Sequence, residues 1–228
     1  MITNINPIQT INKRFVDFSR TTIKTHKLNT KQVMSQLKEY EQDYKNAGQI
    51  GVFLYNAYQF AENCYKNGLK KYAGSILSLL IKNKELPNNV KEPIILQAIR
   101  VANEQKDLLG ELARVVDLKK YYKNNPEASI NKKLRVCIKE EALLKKIINN
   151  LEDIPQSNKP AFEKYEPKDI YRFKLALVEV DIAKAQIKSH KTVTMKRLLH
   201  ARKIFNELNK TNEEKFTQSL INQLDYYS

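Results

Sequence analysis

The sequence predicts an all-α fold, and three observations carry that prediction. Apolar residues recur at three- and four-residue spacing in nearly every window after Thr30. No window alternates apolar and polar residues as a half-buried strand does. Only five glycines and seven prolines punctuate 228 residues. About nine antiparallel helices are expected, joined by connections of about two to six residues. Such a series builds either a helical repeat of the α-solenoid kind or an irregular bundle.

The elements follow in order. Residues 1–28 carry five basic side chains against the single acid Asp17 and only a short Ile11, Phe15, Phe18 stripe, so they read as a basic mobile arm. Thr30 is placed to cap a helix with Val33, Leu37, Tyr40 and Tyr44 on one face, ending at Gly48. Phe53, Leu54, Ala57, Phe60, Ala61 and Cys64 mark the next helix, which stops at Gly68. Ala73, Ile76, Leu77 and Leu80 mark a third, closed by "LPNN". Ile94, Ala98, Val101 and Ala102 lead to Leu108, Leu112, Val115 and Val116, and that hairpin closes at Pro126. A longer helix sets Ile130, Leu134, Cys137, Leu144, Ile148 and Leu151 on a seven-residue rhythm interrupted by Glu141. Ile154 to Pro167 holds three prolines without periodicity and reads as a surface loop. Beyond it, Ile170, Phe173, Leu177 and Val180, then Leu198, Ala201, Phe205 and Leu208, then Phe216, Leu220, Leu224 and Tyr227 mark the last helices.

This gives a domain plan of an arm over 1–28, a helical-hairpin region over 29–153, a loop over 154–167 and C-terminal helices over 168–228. Three helices bury too little apolar surface alone. The C-terminal helices are therefore expected to dock on the long helix, against Leu144, Ile148 and Leu151.

Within the hairpin region, Ala61, Gly68, Ala73, Leu77 and Leu80, followed by Pro87, have the spacing of small and large residues in a two-helix repeat. Over about residues 53–89 the chain resembles a tetratricopeptide repeat. It departs from that family's pattern at Ala57, Cys64 and Leu77, and Pro87 comes two residues late. The resemblance implies stacked helical hairpins and a role in holding another protein.

The net charge is +15, with 32 lysines against eight arginines. Such a charge suits an acidic protein, an anionic membrane surface or a phosphate backbone. Arginine is the better ligand for phosphates and base edges, and it is the scarce one. A/T-rich codons for Lys, Asn, Ile and Tyr account for much of the excess without any ligand. No apolar run approaches the ~20 residues a bilayer crossing needs. Cys64 and Cys137 lie on apolar faces and read as reduced core residues. A cytoplasmic protein is expected, the alternative being an effector or targeted protein addressed through residues 1–28.

Catalytic patterns are absent from the reading. His26, His190 and His200 have no partner at metal-ligand spacing, and no cofactor is expected. Ser35 with Lys38 and Ser129 with Lys132 match a serine–lysine spacing that a lysine-rich chain produces by chance. Glu140 and Glu141 sit among lysines and read as surface pairs. The chain is expected not to be an enzyme.

Two functional expectations remain. The first is a protein-interaction module that binds an acidic or amphipathic segment through Tyr55, Tyr58, Lys66, Lys70 and Lys71, because Tyr55 and Tyr58 fall off the buried stripe of their helix. The alternative is nucleic-acid binding through Lys184, Lys188, Lys191, Lys196, Arg197, Arg202 and Lys203. Those seven cations lie in an acid-free stretch with a helix-turn-helix outline, whose second helix would offer Thr194, Lys196 and Arg197 first.

Overall fold

The computed structural model describes residues 7–153 and 165–226. Every element among them is helical: α1 Pro7–Thr25, α2 Thr30–Asn46, α3 Ile50–Lys66, α4 Lys70–Lys82, α5 Asn88–Glu104, α6 Leu108–Asn124, α7 Ile130–Asp153, α8 Lys168–Gln186, α9 Lys191–Glu207 and α10 Thr211–Tyr226. The chain divides into two compact units, Met1–Arg114 and Val115–Ser228, with the boundary inside α6. Most of the proline-containing segment expected as a surface loop (154–164) lies outside the described residues.

In the first unit each helix packs on its neighbours in the chain: α1 on α2 and α3, α2 on α3 and α4, α3 on α4, α4 on α5. The predicted stripes are the buried ones. Val33, Leu37, Tyr40 and Tyr44 of α2, the six apolar residues from Phe53 to Cys64 in α3, and Ala73, Ile76, Leu77 and Leu80 of α4 meet in one core. The α2 cap is Asn29 rather than Thr30. Asn29 Oδ1 accepts from the Gln32 backbone at 2.9 Å while Gln32 Oε1 accepts from the Asn29 backbone at 2.8 Å, a reciprocal capping box.

The expected mobile arm is corrected. Residues 7–25 form α1, and Phe15 is 2% exposed. Its ring meets Phe18, Tyr40, Tyr44, Phe53 and Phe60 edge-on, with centroids 5.2–6.5 Å apart. Two phenols anchor α1 further. Tyr44 Oη donates to Asn12 Oδ1 at 2.5 Å, and Tyr40 Oη donates to the Arg14 carbonyl at 3.1 Å. The basic composition described the solvent face; the burial of Phe15 among the aromatic rings of α2 and α3 placed the helix in the core.

One turn geometry recurs through the chain. At the ends of α2, α3, α5 and α9 a left-handed residue follows the last turn: Gly48 (φ 68°), Gly68 (φ 76°), Lys106 (φ 56°) and Asn209 (φ 55°). Each time that residue's N–H bonds the carbonyl three residues back. The next N–H bonds five back, as in Gln49→Tyr44, Leu69→Cys64, Asp107→Ala102 and Lys210→Phe205, at 2.8–3.0 Å. The hairpin over Ile94 to Pro126 lacks the glycine of the preceding one because Lys106 takes the glycine position. A left-handed lysine costs about 1 kcal/mol relative to glycine. Lys106→Gly is therefore expected to raise stability by about 1 kcal/mol. Chemical denaturation checks this, and an unchanged or lower midpoint contradicts it.

In the second unit α7 packs on α8, α8 on α9 and α9 on α10. Here several predicted core positions are corrected. Ile130 is 63% exposed, and Ile170, Leu177 and Phe216 also face solvent. The Phe216 ring carries the Lys184 ammonium 4.4 Å above its centre. The core positions of α8 are Tyr171, Leu175, Ala176, Val178, Glu179, Val180, Ile182 and Ala183. That set covers somewhat more than half of the helix circumference and includes a glutamate, so it is wider than the narrow apolar stripe the spacing marks.

Candidate functional site

The α3 stripe that builds the core leaves Tyr55 outside it, 65% exposed, with Tyr58 half-buried one turn along. Both tyrosines line an open groove of about 370 Å³ in the first unit. Its floor is Leu54, Leu86 and Ile94, each at most 6% exposed. Its walls are Ile50 and Gly51 at the start of α3, Pro87 in the connection to α5, and Val90 and Pro93 on α5. Pro87 sits at the helix boundary, where a missing N–H costs nothing. Pro93, inside α5, removes one helical hydrogen bond. Glu85 is the one charged residue of the lining. Burial pushes the Tyr58 phenol up, and the Glu62 carboxylate one turn on adds to it, so Tyr58 is a neutral donor at ordinary pH.

The lysines grouped with these tyrosines are elsewhere. Lys66 ends α3, eight residues and about 12 Å of helix rise from Tyr58. Lys70 is held 2.9 Å from Glu104. Tyr65 Oη donates to that same carboxylate at 2.6 Å, and the Arg100 guanidinium stacks 4.7 Å over the Tyr65 ring. The hydrogen bond from Tyr65, with Lys70, holds the Glu104 carboxyl below the usual range. Lys70 thus joins α4 to α5. Lys71 is exposed and borders a separate polar cleft with Thr30, Ser75 and Gln105. Only Tyr55 and Tyr58 of the five predicted contacts share a groove.

The basic segment 184–203 is also rearranged. Thr194 is fully buried. Arg197 turns inward to Glu141 at 2.6 Å, Arg202 pairs with Glu214 at 2.8 Å, and Lys203 lies 3.9 Å from Glu207. Of the three side chains expected to reach a nucleic acid first, Lys196 alone is exposed and without an ion pair among the described residues. Lys188 is likewise exposed without one, and Lys191 is exposed.

What the sequence reading missed is a set of buried charges in the second unit. Glu140 and Glu141 are 7% and 6% exposed, not surface residues. Glu141 is bonded by Arg197 of α9 and, at 2.6 Å, by Lys145 of its own helix. Burial pushes its carboxyl up, but those two cations outweigh burial, and it lies below the usual range. Glu179 of α8, 3% exposed, meets His200 Nδ1 at 2.7 Å and Lys145 at 3.9 Å. Here burial wins over His200 and Lys145, and the Glu179 carboxyl is pushed up. Lys119 of α6 bridges Glu140 and Asp181, at 2.9 Å from each. The available signal was the interruption of the α7 stripe at Glu141: an acid in an apolar register is a buried acid when a neighbouring helix supplies a cation.

Cys64 and Cys137 are free and buried, and burial alone pushes the Cys64 thiol up to about 12, which makes it inert at neutral pH. Among the described residues no group of three or more His, Cys, Asp or Glu is arranged to hold a metal ion. No described helix is long and apolar enough to cross a membrane. No protein-family model, curated protein or solved structure matches this chain.

Proposed function

We propose that this chain is a non-catalytic interaction module that binds an acidic or amphipathic segment of another protein in the Tyr55–Tyr58 groove. The open groove itself supports this reading, because an apolar floor with an exposed aromatic rim buries side chains of a partner at little conformational cost. Tyr55 makes no hydrogen bond to the rest of the described chain, so its ring is free to contact a ligand. The exposed Lys82 and Lys84 lead into the groove lining at Glu85, and the chain carries +15 overall, which favours acidic flanks on the bound segment. An amphipathic segment would place its apolar side chains on Leu54, Leu86 and Ile94.

Tyr55→Ala is expected to change stability by no more than about 0.5 kcal/mol, as an exposed substitution does. Tyr55→Ala/Tyr58→Ala is expected to lose the proteins that the wild type retains on affinity capture, while Lys188→Gln keeps them. Retention of the same proteins by the double variant would remove the groove from the reading.

A further inference from the structure

A second cleft, in the second unit, has the composition of a small-molecule site. It measures about 540 Å³ and is formed by α6, α7 and α8, a size ordinary for small ligands. Val116, Lys119, Lys120 and Lys123 follow helical spacing and bring three ammonium groups from α6 to one wall. Lys133, Cys137 and Glu140 do the same from α7, and Asp181 comes from α8.

The charges are unevenly committed. Lys119 is held by Glu140 and Asp181 at 2.9 Å each, and its ammonium stays charged: burial pulls its pKa down, but the two carboxylates more than restore it. Lys120, Lys123 and Lys133 have no ion pair among the described residues. Four ammoniums against two carboxylates leave the lining at +2. A phosphomonoester carries about −1.5 to −2 at neutral pH and has three acceptor oxygens, which matches that surplus. The two carboxylates oppose a bare anion beside Lys119, yet each has acceptor sites beyond the one Lys119 uses. They suit hydroxyl donors.

We infer that the cleft binds a small phosphomonoester bearing hydroxyl groups, of the sugar-phosphate or nucleoside-monophosphate class. Its phosphate lies among Lys120, Lys123 and Lys133, and its hydroxyls donate to Asp181 and Glu140. This site is separate from the protein-binding groove and stands or falls without it.

The test is calorimetric titration of the full chain with ribose 5-phosphate, inorganic phosphate and ribose as three separate probes. Saturable binding of ribose 5-phosphate, at least tenfold tighter than inorganic phosphate and with ribose silent, is the expected result. Lys120→Gln/Lys123→Gln/Lys133→Gln is expected to abolish it, and Asp181→Asn to weaken it about fivefold. Lys188→Gln/Lys196→Gln, which removes equal charge per site from another surface, is expected to leave it unchanged. Hydrogen-exchange protection of α7 and α8 checks that each variant is folded. No saturable binding, equal affinity for inorganic phosphate, or equal loss in the Lys188/Lys196 control would each overturn the inference.

Discussion

Phe15→Ala is expected to destabilise the first unit by about 4 kcal/mol and to release α1. Truncating a fully buried phenylalanine costs about 3–5 kcal/mol in lost transfer energy and residual cavity. The site cannot collapse cheaply, because five aromatic rings surround Phe15 and are themselves held by α2 and α3. With the ring gone, α1 keeps half-buried Ile8, Ile11, Phe18 and Ile23, buried Thr22 and the two phenol hydrogen bonds, but no fully buried apolar side chain. Hydrogen exchange followed by mass spectrometry measures the effect locally. Protection in residues 8–25 should fall to that of a solvated helix while α8 and α9 stay unchanged. A loss below about 1 kcal/mol would mean that residues 1–28 behave as an arm after all.

Arg197→Ala is expected to cost the second unit about 3 kcal/mol. Removing one partner of a buried pair leaves the other charge uncompensated, at about 3–5 kcal/mol. The lower end applies because Lys145 still bonds Glu141. Arg197→Met, which keeps the stem volume, separates packing from charge: if it costs as much as alanine, charge is the cause. The pH dependence follows from the same groups. Glu141 is held below its unfolded value, so its contribution is complete above about pH 4.3 and is lost as pH falls through the lowered folded value. Glu179 is held above its unfolded value, so its contribution has the opposite sign, present at low pH and lost as pH rises through the raised value. Glu141→Gln should therefore flatten the acid limb of the stability profile, and Glu179→Gln should remove the loss on its rising side. Urea midpoints between pH 3 and pH 7 read both, and identical profiles for all three proteins would contradict the assigned burial.

The difference between these two regions shows what was legible. In α2, α3 and α4 one face meets the core and the other meets water, so hydrophobic spacing alone located every buried residue from Val33 to Leu80. The turns were legible where glycine supplied the left-handed residue, at Gly48 and Gly68. They were hidden at Lys106 and Asn209, where the surrounding hairpin imposes the same conformation on a residue that does not advertise it. Tyr55 and Tyr58 were legible as residues off a stripe. Their separation from Lys66, Lys70 and Lys71 was not, since Lys66 ends the helix that carries both tyrosines and Lys70 and Lys71 open the next one.

By itself, the sequence determined the helical class, the helix boundaries near glycine and proline, and the buried faces of amphipathic helices. Periodicity is a local property, and local spacing suffices to read it. Only the tertiary structure decided that α1 is part of the core, that Glu141 and Glu179 are buried, and that Arg197 and Arg202 are spent on internal partners. Charge type does not reveal burial, because a carboxylate leaves water only when a cation from a distant segment meets it. That meeting joins residues as far apart as Glu141 and Arg197, a pairing no window of sequence contains.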